Sequence, residues 1–407
     1  MMQSIDPAFI QALKNGLTHW QAQTRGMTDD RLRQVDAERA NLLQIVQSGL
    51  VLPALWADTA VLMRQAFPLI ERRGYGKEWI SLLERLLAHA DALAGDVTMS
   101  LLNQLGQLYR LNRRLTDAIA LHQQAKARAR TAGDAFALAE ANYNLSEAHF
   151  EDHAYAEAEA CGQAALQTWV VLPDADRWVA ATLITLAKIA RARGEADASV
   201  EILLRAVAIR RREERPLPLM RALNDLALAY KRQGAFDLAL ACFQEALAIL
   251  EPTVYELDKV LVHLNVGSLH FQRGDWSAAR MAFRQADTSY LRKSGDLRLQ
   301  ASLVTNLGNV LLKQSEYAEA EESLQRAQRL WQQLANRLEL GNTVGTLGEL
   351  YLAWGRPQDA CACFDEAIQL LRQFPDNAWA QKLRTNFTAL RRQAESAGDC
   401  APADSGD

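Results

Sequence analysis

The stretch 223–250, LNDLALAYKRQGAFDLALACFQEALAIL, holds two helical patterns with a break between them. Leu223, Leu226, Ala227 and Tyr230 fall at i, i+3, i+4 and i+7, which is one face of an α-helix. Gln233-Gly234 interrupts the pattern. Ala239, Phe243, Ala246 and Leu250 resume it at i, i+4, i+7 and i+11. The segment reads as a hairpin of helix A and helix B, whose small residues let the two backbones approach closely while Phe243 fills the gap.

Outward from this stretch the hairpin recurs at a period of 40 to 41 residues. An apolar anchor followed by a small residue stands at Leu105-Gly106, Leu145-Ser146, Leu186-Ala187, Leu226-Ala227, Val266-Gly267, Leu307-Gly308 and Leu347-Gly348. Thirteen residues after each anchor come Ala118, Ala158, Ser199, Ala239, Ala279, Ala320 and Ala360. Twenty after each come Ala125, Ala165, Ala206, Ala246, Ala286, Ala327 and Ala367. Helix-stop residues such as Gly133-Asp134, Pro216, Pro252 and Asn336 separate the units. Composition agrees: 49% of the 407 residues are apolar, and Ala, Leu, Glu, Arg and Gln favour helix over strand. A repeat stack of this length needs no single large core, because each unit packs only on its neighbours.

The pattern Leu226-Ala227, Tyr230, Gly234, Phe236, Ala239, Phe243, Ala246, echoed by Val266-Gly267, Gly274, Trp276, Ala279, Phe283 and Ala286, resembles the tetratricopeptide repeat family. The resemblance covers about residues 97 to 376 and implies an all-α, right-handed superhelical solenoid of helix A/helix B hairpins. It implies partner binding more than any chemistry. The period departs from the family's usual length of about 34 residues. Longer units with an Asn-Leu-Gly-Asn signature, here Asn306 to Asn309, resemble the adaptor branch, which cradles extended partner segments. Similar long repeats form the sensor arms of bacterial signalling ATPases.

The expected organisation is an N-terminal helical region over 1–95, with a divergent repeat at about 53–94, and seven repeats over 96–376. A capping helix over 377–393 and a disordered tail over 394–407 follow. In the divergent unit Ala66 takes the anchor place, with Trp79 and Leu86 where small residues stand elsewhere. Trp379, Leu383, Phe387 and Leu390 form the apolar stripe expected of the cap.

If the resemblance holds, helix A positions outside the hairpin core line a concave groove. The residue before each anchor gives Gln104, Asn144, Thr185, Asp225, Asn265, Asn306 and Thr346; the residue two after gives Gln107, Glu147, Lys188, Leu228, Ser268, Asn309 and Glu349. Asn103, Arg221, Asn224 and Asn342 complete the candidate peptide groove. Asn and Gln each offer a donor and an acceptor, so they pair with the backbone of an extended peptide whatever its side chains. Some family members clamp a partner's C-terminal carboxylate with lysines and arginines across three units. The corresponding places here hold Asn224 and Leu228, Asn265, then Ser302 and Asn306, so that ligand class is not expected. Charge is zoned, with Arg221, Lys231 and Arg232 mid-stack and Glu140, Glu147 and Glu151 nearer the N-terminus.

Chemistry is not expected. Gly74-Tyr75-Gly76-Lys77 lacks the upstream glycine and the hydroxyl of a phosphate loop. His149 and His153 have a metal-like spacing, but His149 replaces the tyrosines at 109, 230 and 351, and His153 falls in the turn between helices. Cys161, Cys242 and Cys363 share one repeat place, and five irregularly spaced cysteines suggest a reducing interior instead of a disulfide framework. A net charge of −4 predicts no general affinity for nucleic acid or anionic membrane. No signal peptide and no run of 18 apolar residues is present, so a soluble cytoplasmic protein is expected. The expectation is a cofactor-free, metal-free, non-enzymatic scaffold that binds another protein or peptide. The alternative is a regulatory or sensor module of a bacterial signalling or transcription-control system, recognising a small ligand or an ATPase.

Overall fold

The computed structural model describes residues 6–398, apart from 27–28, 74, 214, 254, 288 and 294. Among the described residues there is no strand. Each of the seven anchors lies in a helix A that is followed by a helix B. The pairs are Gly95–Leu111 with Leu115–Ala132, Ala135–Glu151 with Tyr155–Trp169, and Asp176–Ala192 with Ala196–Arg212. Pro216–Gln233 with Phe236–Leu250, Glu256–Arg273 with Trp276–Ala286, Leu297–Lys313 with Tyr317–Gln333, and Arg337–Ala353 with Pro357–Leu371 complete the series. We number these hairpins as repeats 1 to 7.

Local chemistry sets the helix ends. Asp134, Asp275, Asp296 and Asn336 each accept a hydrogen bond from a backbone N–H in the first turn of the helix that follows. The A-to-B turn has one geometry throughout. The residue eight after each anchor has positive φ: Arg113, His153, Gly194, Gly234, Gly274, Ser315 and Gly355. The next residue then donates its N–H to the carbonyl four after the anchor, as Ala235 does to Tyr230 at 3.0 Å. Three of these left-handed positions carry side chains, so the hairpin imposes the turn even where glycine is absent.

All fourteen small residues of the repeat pattern are buried, none more than 1% exposed. Bulk and hollow are matched across the hairpins of repeats 1, 5, 6 and 7. The residue after the anchor faces the one seventeen after the anchor: Gly267 meets Phe283, Gly348 meets Phe364, Gly308 meets Leu324 and Gly106 meets His122. A Cβ on Gly267 would stand 2.4 Å from the Phe283 ring. In repeat 2 the hollow lies on helix B, at Gly162, and is filled by Leu186 of repeat 3, while Ser146 donates to the Ala158 carbonyl at 2.7 Å. In repeat 3 the direction reverses, Ser199 donating to the Ala187 carbonyl at 2.8 Å. Gly308→Val should therefore overpack Leu324 and cost about 1–3 kcal/mol, read as a lowered midpoint in thermal denaturation.

The chain divides into two compact units, residues 1–214 and 215–407. In the first, Pro7–Thr24, Arg39–Val51, Trp56–Arg73 and Gly76–Leu87 build one core with helix A of repeat 1. Trp79 and Leu86 are fully buried in it. In the second, Ala378–Ala397 covers repeat 7. Its Phe387 stands 40 residues after Leu347, fills the hollow at Gly345 and lies 6.0 Å from the Phe364 ring. The buried stripe of this helix runs through Ala380, Phe387, Arg391 and Ala394, not through Trp379, which is exposed. Arg391 pairs there with Asp365 and Glu395, and Leu383 and Leu390 pack partly buried beside the stripe. Residues 399–407, most of the expected tail, lie outside the described residues.

Candidate functional site

On a helix at 100° per residue, the anchor and the residue after it face helix B. The residue before the anchor and those two and six after it then lie on the opposite face. That face is polar in most repeats: Ser302, Asn306, Asn309 and Lys313 in repeat 6, Glu140, Asn144, Glu147 and Glu151 in repeat 2. It is the surface on which the candidate groove residues were placed, and the structure sorts them into two groups.

In the first unit much of the face is used to fasten one helix A to the next. Gln107 donates to the Asn144 carbonyl oxygen at 2.9 Å, Asn103 to Glu140 at 3.0 Å, and Gln104 to the Arg64 backbone at 3.1 Å. Arg110 binds Glu151 and lies 3.7 Å from Glu147, which also accepts from Thr185. Asn103, Gln104 and Asn144 are buried at 2%, 8% and 3% exposure. This corrects the expectation that they stand free on a groove wall. Neighbouring helices A approach closely enough for 37- to 41-residue partners to bond side chain to side chain, and the amides are buried in doing so, the Asn144 nitrogen and the Gln104 oxygen without a partner. Gln107, Glu147 and Lys188 are half-buried. Burial raises the Glu140 carboxyl above its usual range, with the Asn103 hydrogen bond opposing.

In the second unit the face is more open. Asn265 donates to Asn224 at 2.9 Å, and Arg221 lies 3.5 Å from Asp258. Asp225 is half-buried beside them. Asn306, Asn309 and Asn342 are half-buried, and among the described residues their side chains have no hydrogen-bond partner. Glu349 receives a bond from Asn386 at 3.4 Å; burial raises its carboxyl, while Lys313 opposes.

Two charged residues stand five after their anchors, Lys231 already among the expected inward charges and Arg110 missed by sequence reasoning. Arg110 holds the acidic ladder of the first unit, and Lys231 donates to the Ser268 hydroxyl at 2.8 Å in the second. Their common place in the repeat was the signal available. His153 forms the turn of repeat 2 and contacts the Tyr155 hydroxyl at 3.0 Å. Among the described residues no three His, Cys, Asp or Glu side chains are grouped to hold a metal, and no helix is long and apolar enough to cross a membrane. Cys161 and Cys363 are free, and burial pushes the Cys363 thiol up to about 12.

The sequence model of the tetratricopeptide repeat matches residues 137–212, 218–286 and 299–373, and a second model of the same description matches 98–132. The chain belongs to the tetratricopeptide repeat family. The family's repeat boundaries fall on the hairpins described above. Among curated relatives, "Regulatory protein RapG" of Bacillus subtilis (strain 168) is 27% identical over 147 residues, 35% of this chain and 38% of RapG. The match thus spans little more than a third of that relative's length. The apo form of RapI has the same fold, with a TM-score of 0.62 at 12% identity, covering 90% of this chain and 99% of RapI. A Rap protein complexed with Competence and Sporulation Factor gives a TM-score of 0.54 at 12% identity, over 83% of this chain and 99% of that one. These tetratricopeptide likenesses establish architecture; the site is argued from its own residues.

Proposed function

We propose that this protein is a regulatory scaffold that binds an extended or helical segment of another protein or a peptide, and that the helix A face of repeats 5 to 7 is the principal contact surface. The observation that carries the reading is the set Asn306, Asn309 and Asn342, whose amides are held at a helix face without intramolecular partners. An unpaired amide offers one donor pair and one acceptor to an incoming backbone, and a row of them recognises a peptide by its amides. In the first unit Asn103, Gln104 and Asn144 are buried and each makes a bond within the fold, so they act there as structure. The complex of a Rap protein with Competence and Sporulation Factor supports the reading by fold.

The test is to pan a random decapeptide library on the full chain and compare variants. The triple variant Asn306→Ala, Asn309→Ala, Asn342→Ala should bind selected peptides on the order of 100-fold more weakly, at about 1 kcal/mol per lost bond. Its melting temperature should stay unchanged, because no internal bond is lost. Asn144→Ala should do the reverse, lowering the melting temperature through the lost Gln107 bond. Equal peptide affinity in the triple variant would sink the proposal.

A second reading, a sensor module of a signalling or transcription-control system, is favoured by the name RapG carries, a regulatory protein. Recovery of an ATPase or transcription regulator on the full chain from native lysate would favour it. Both readings have the protein acting in the cytoplasm on protein or small ligand, without catalysis, cofactor, nucleic acid or membrane, in keeping with a net charge of −4.

A further inference from the structure

The place five residues after the anchor is cationic in both units, at Arg110 and at Lys231. In the first unit Arg110 is neutralised by the helix A that follows. Glu147 and Glu151 supply its acids, from the places two and six after the next anchor. In the second unit those two places hold Ser268 and Gln272. The cation is kept and both acids are replaced by neutral residues.

The consequences at Lys231 are visible. Its Nζ donates to the Ser268 hydroxyl at 2.8 Å, and among the described residues it makes no ion pair. An ammonium has three N–H donors, so two remain unmatched by the protein. The side chain is half-buried, and burial lowers its pKa with no neighbouring acid to oppose the shift. A partly desolvated cation without a counter-charge is costly unless something else supplies the charge.

The geometry points to Lys231 and Ser268 as a carboxylate subsite, in which an acidic group of the bound partner takes the place that Glu147 and Glu151 fill beside Arg110. Lys231 gives charge and two N–H bonds, and the Ser268 hydroxyl donates a further one once its oxygen is engaged by the lysine. The subsite lies at the polar face that carries Asn265 on the same helix A as Ser268. This inference rests on the peptide-binding reading and specifies one feature of the segment bound, a carboxylate at a fixed position. That carboxylate is an Asp or Glu side chain or the peptide's own C-terminus.

Peptides panned on the wild-type chain from a random decapeptide library should show Asp or Glu, or a free C-terminus, at one fixed position. Lys231→Met should bind them at least about tenfold more weakly, as loss of a charge-assisted bond implies, while Lys231→Arg retains most of the affinity. Amidating the C-terminus separates the two sources: an amidated peptide that still binds places the carboxylate on a side chain, and one that fails places it at the terminus. Without peptide, Lys231→Met should melt about 2–4 °C higher, because an uncompensated charge has been removed. A lower melting temperature would show the ammonium to serve the fold alone and would overturn the assignment. So would peptides without an acidic preference, or peptides bound by Lys231→Met within twofold of wild type. Failure to recover any peptide would remove the peptide-binding reading itself, and this subsite with it.

Discussion

Phe283→Ala should lower the unfolding free energy of residues 215–407 by about 3–5 kcal/mol, the range for deleting a fully buried aromatic. The ring lies between Val260, Leu264, Ala279 and Ala286 and occupies the hollow left by Gly267. Helix A cannot move in to close the cavity, because Ala279 and Ala286 already bring the two backbones together. Urea denaturation followed by circular dichroism reads the change as a lower midpoint. A double-mutant cycle sharpens the claim. Gly267→Ala alone should be destabilising, since its Cβ meets the ring at 2.4 Å. Combined with Phe283→Leu, it recreates the Ala187 and Leu203 pair of repeat 3 and should cost less than the sum of the two single changes. Simple additivity would refute matched packing across the hairpin.

Acid should destabilise the first unit through His122. This ring takes the place that Phe283 and Phe364 hold elsewhere, fully buried against Gly106. Its Nδ1 lies 3.1 Å from the Asn103 oxygen, which only accepts, so Nδ1 carries the proton and Nε2 is a bare, unpartnered nitrogen. Burial, with the Arg110 guanidinium adding to it, lowers the pKa from 6.5 to about 3. The unfolded chain therefore binds the proton first. The stability held by neutral His122 is fully present above pH 6.5 and is lost tenfold per unit as pH falls toward 3, about 5 kcal/mol at the limit. Glu140, raised by burial, works in the opposite sense: its contribution is present at low pH and lost as pH rises through its folded value. His122→Phe isolates the histidine, because it restores an aromatic at a glycine hollow and removes the titrating ring. Urea midpoints between pH 7 and pH 4 should fall much more steeply for wild type than for the variant. Parallel curves would show that His122 does not govern the acid response.

The hairpins were readable in the sequence because backbone approach demands a small residue at two fixed places, and the demand repeats every 40 to 41 residues. The turns were readable only in part. Gly194, Gly234, Gly274 and Gly355 announce a left-handed residue, whereas Arg113, His153 and Ser315 adopt it under tertiary constraint and give no local sign. The polar face was also legible, since its residues follow from helical geometry. Its division was not. Whether Asn144 or Asn306 is free depends on a side chain on another helix, Gln107 in one case and none in the other. Pairing between repeats is a matter of reach and rotamer, and a one-dimensional pattern does not encode it. The cap misled in one place: Trp379 looks apolar and Arg391 polar, yet Arg391 is buried, paired with Asp365 and Glu395, and Trp379 is exposed.

The source of the bulk that fills each hollow has a consequence for how such a chain can change over generations. At Gly267 the filling ring, Phe283, belongs to the same hairpin, whereas the hollow at Gly162 is filled by Leu186 of the next repeat. A lineage can therefore exchange large for small across repeat 5 in two compensating steps inside one hairpin. A change at Gly162 has to be answered one repeat away. Hairpins of the first kind can be altered singly, and those of the second only together with a neighbour.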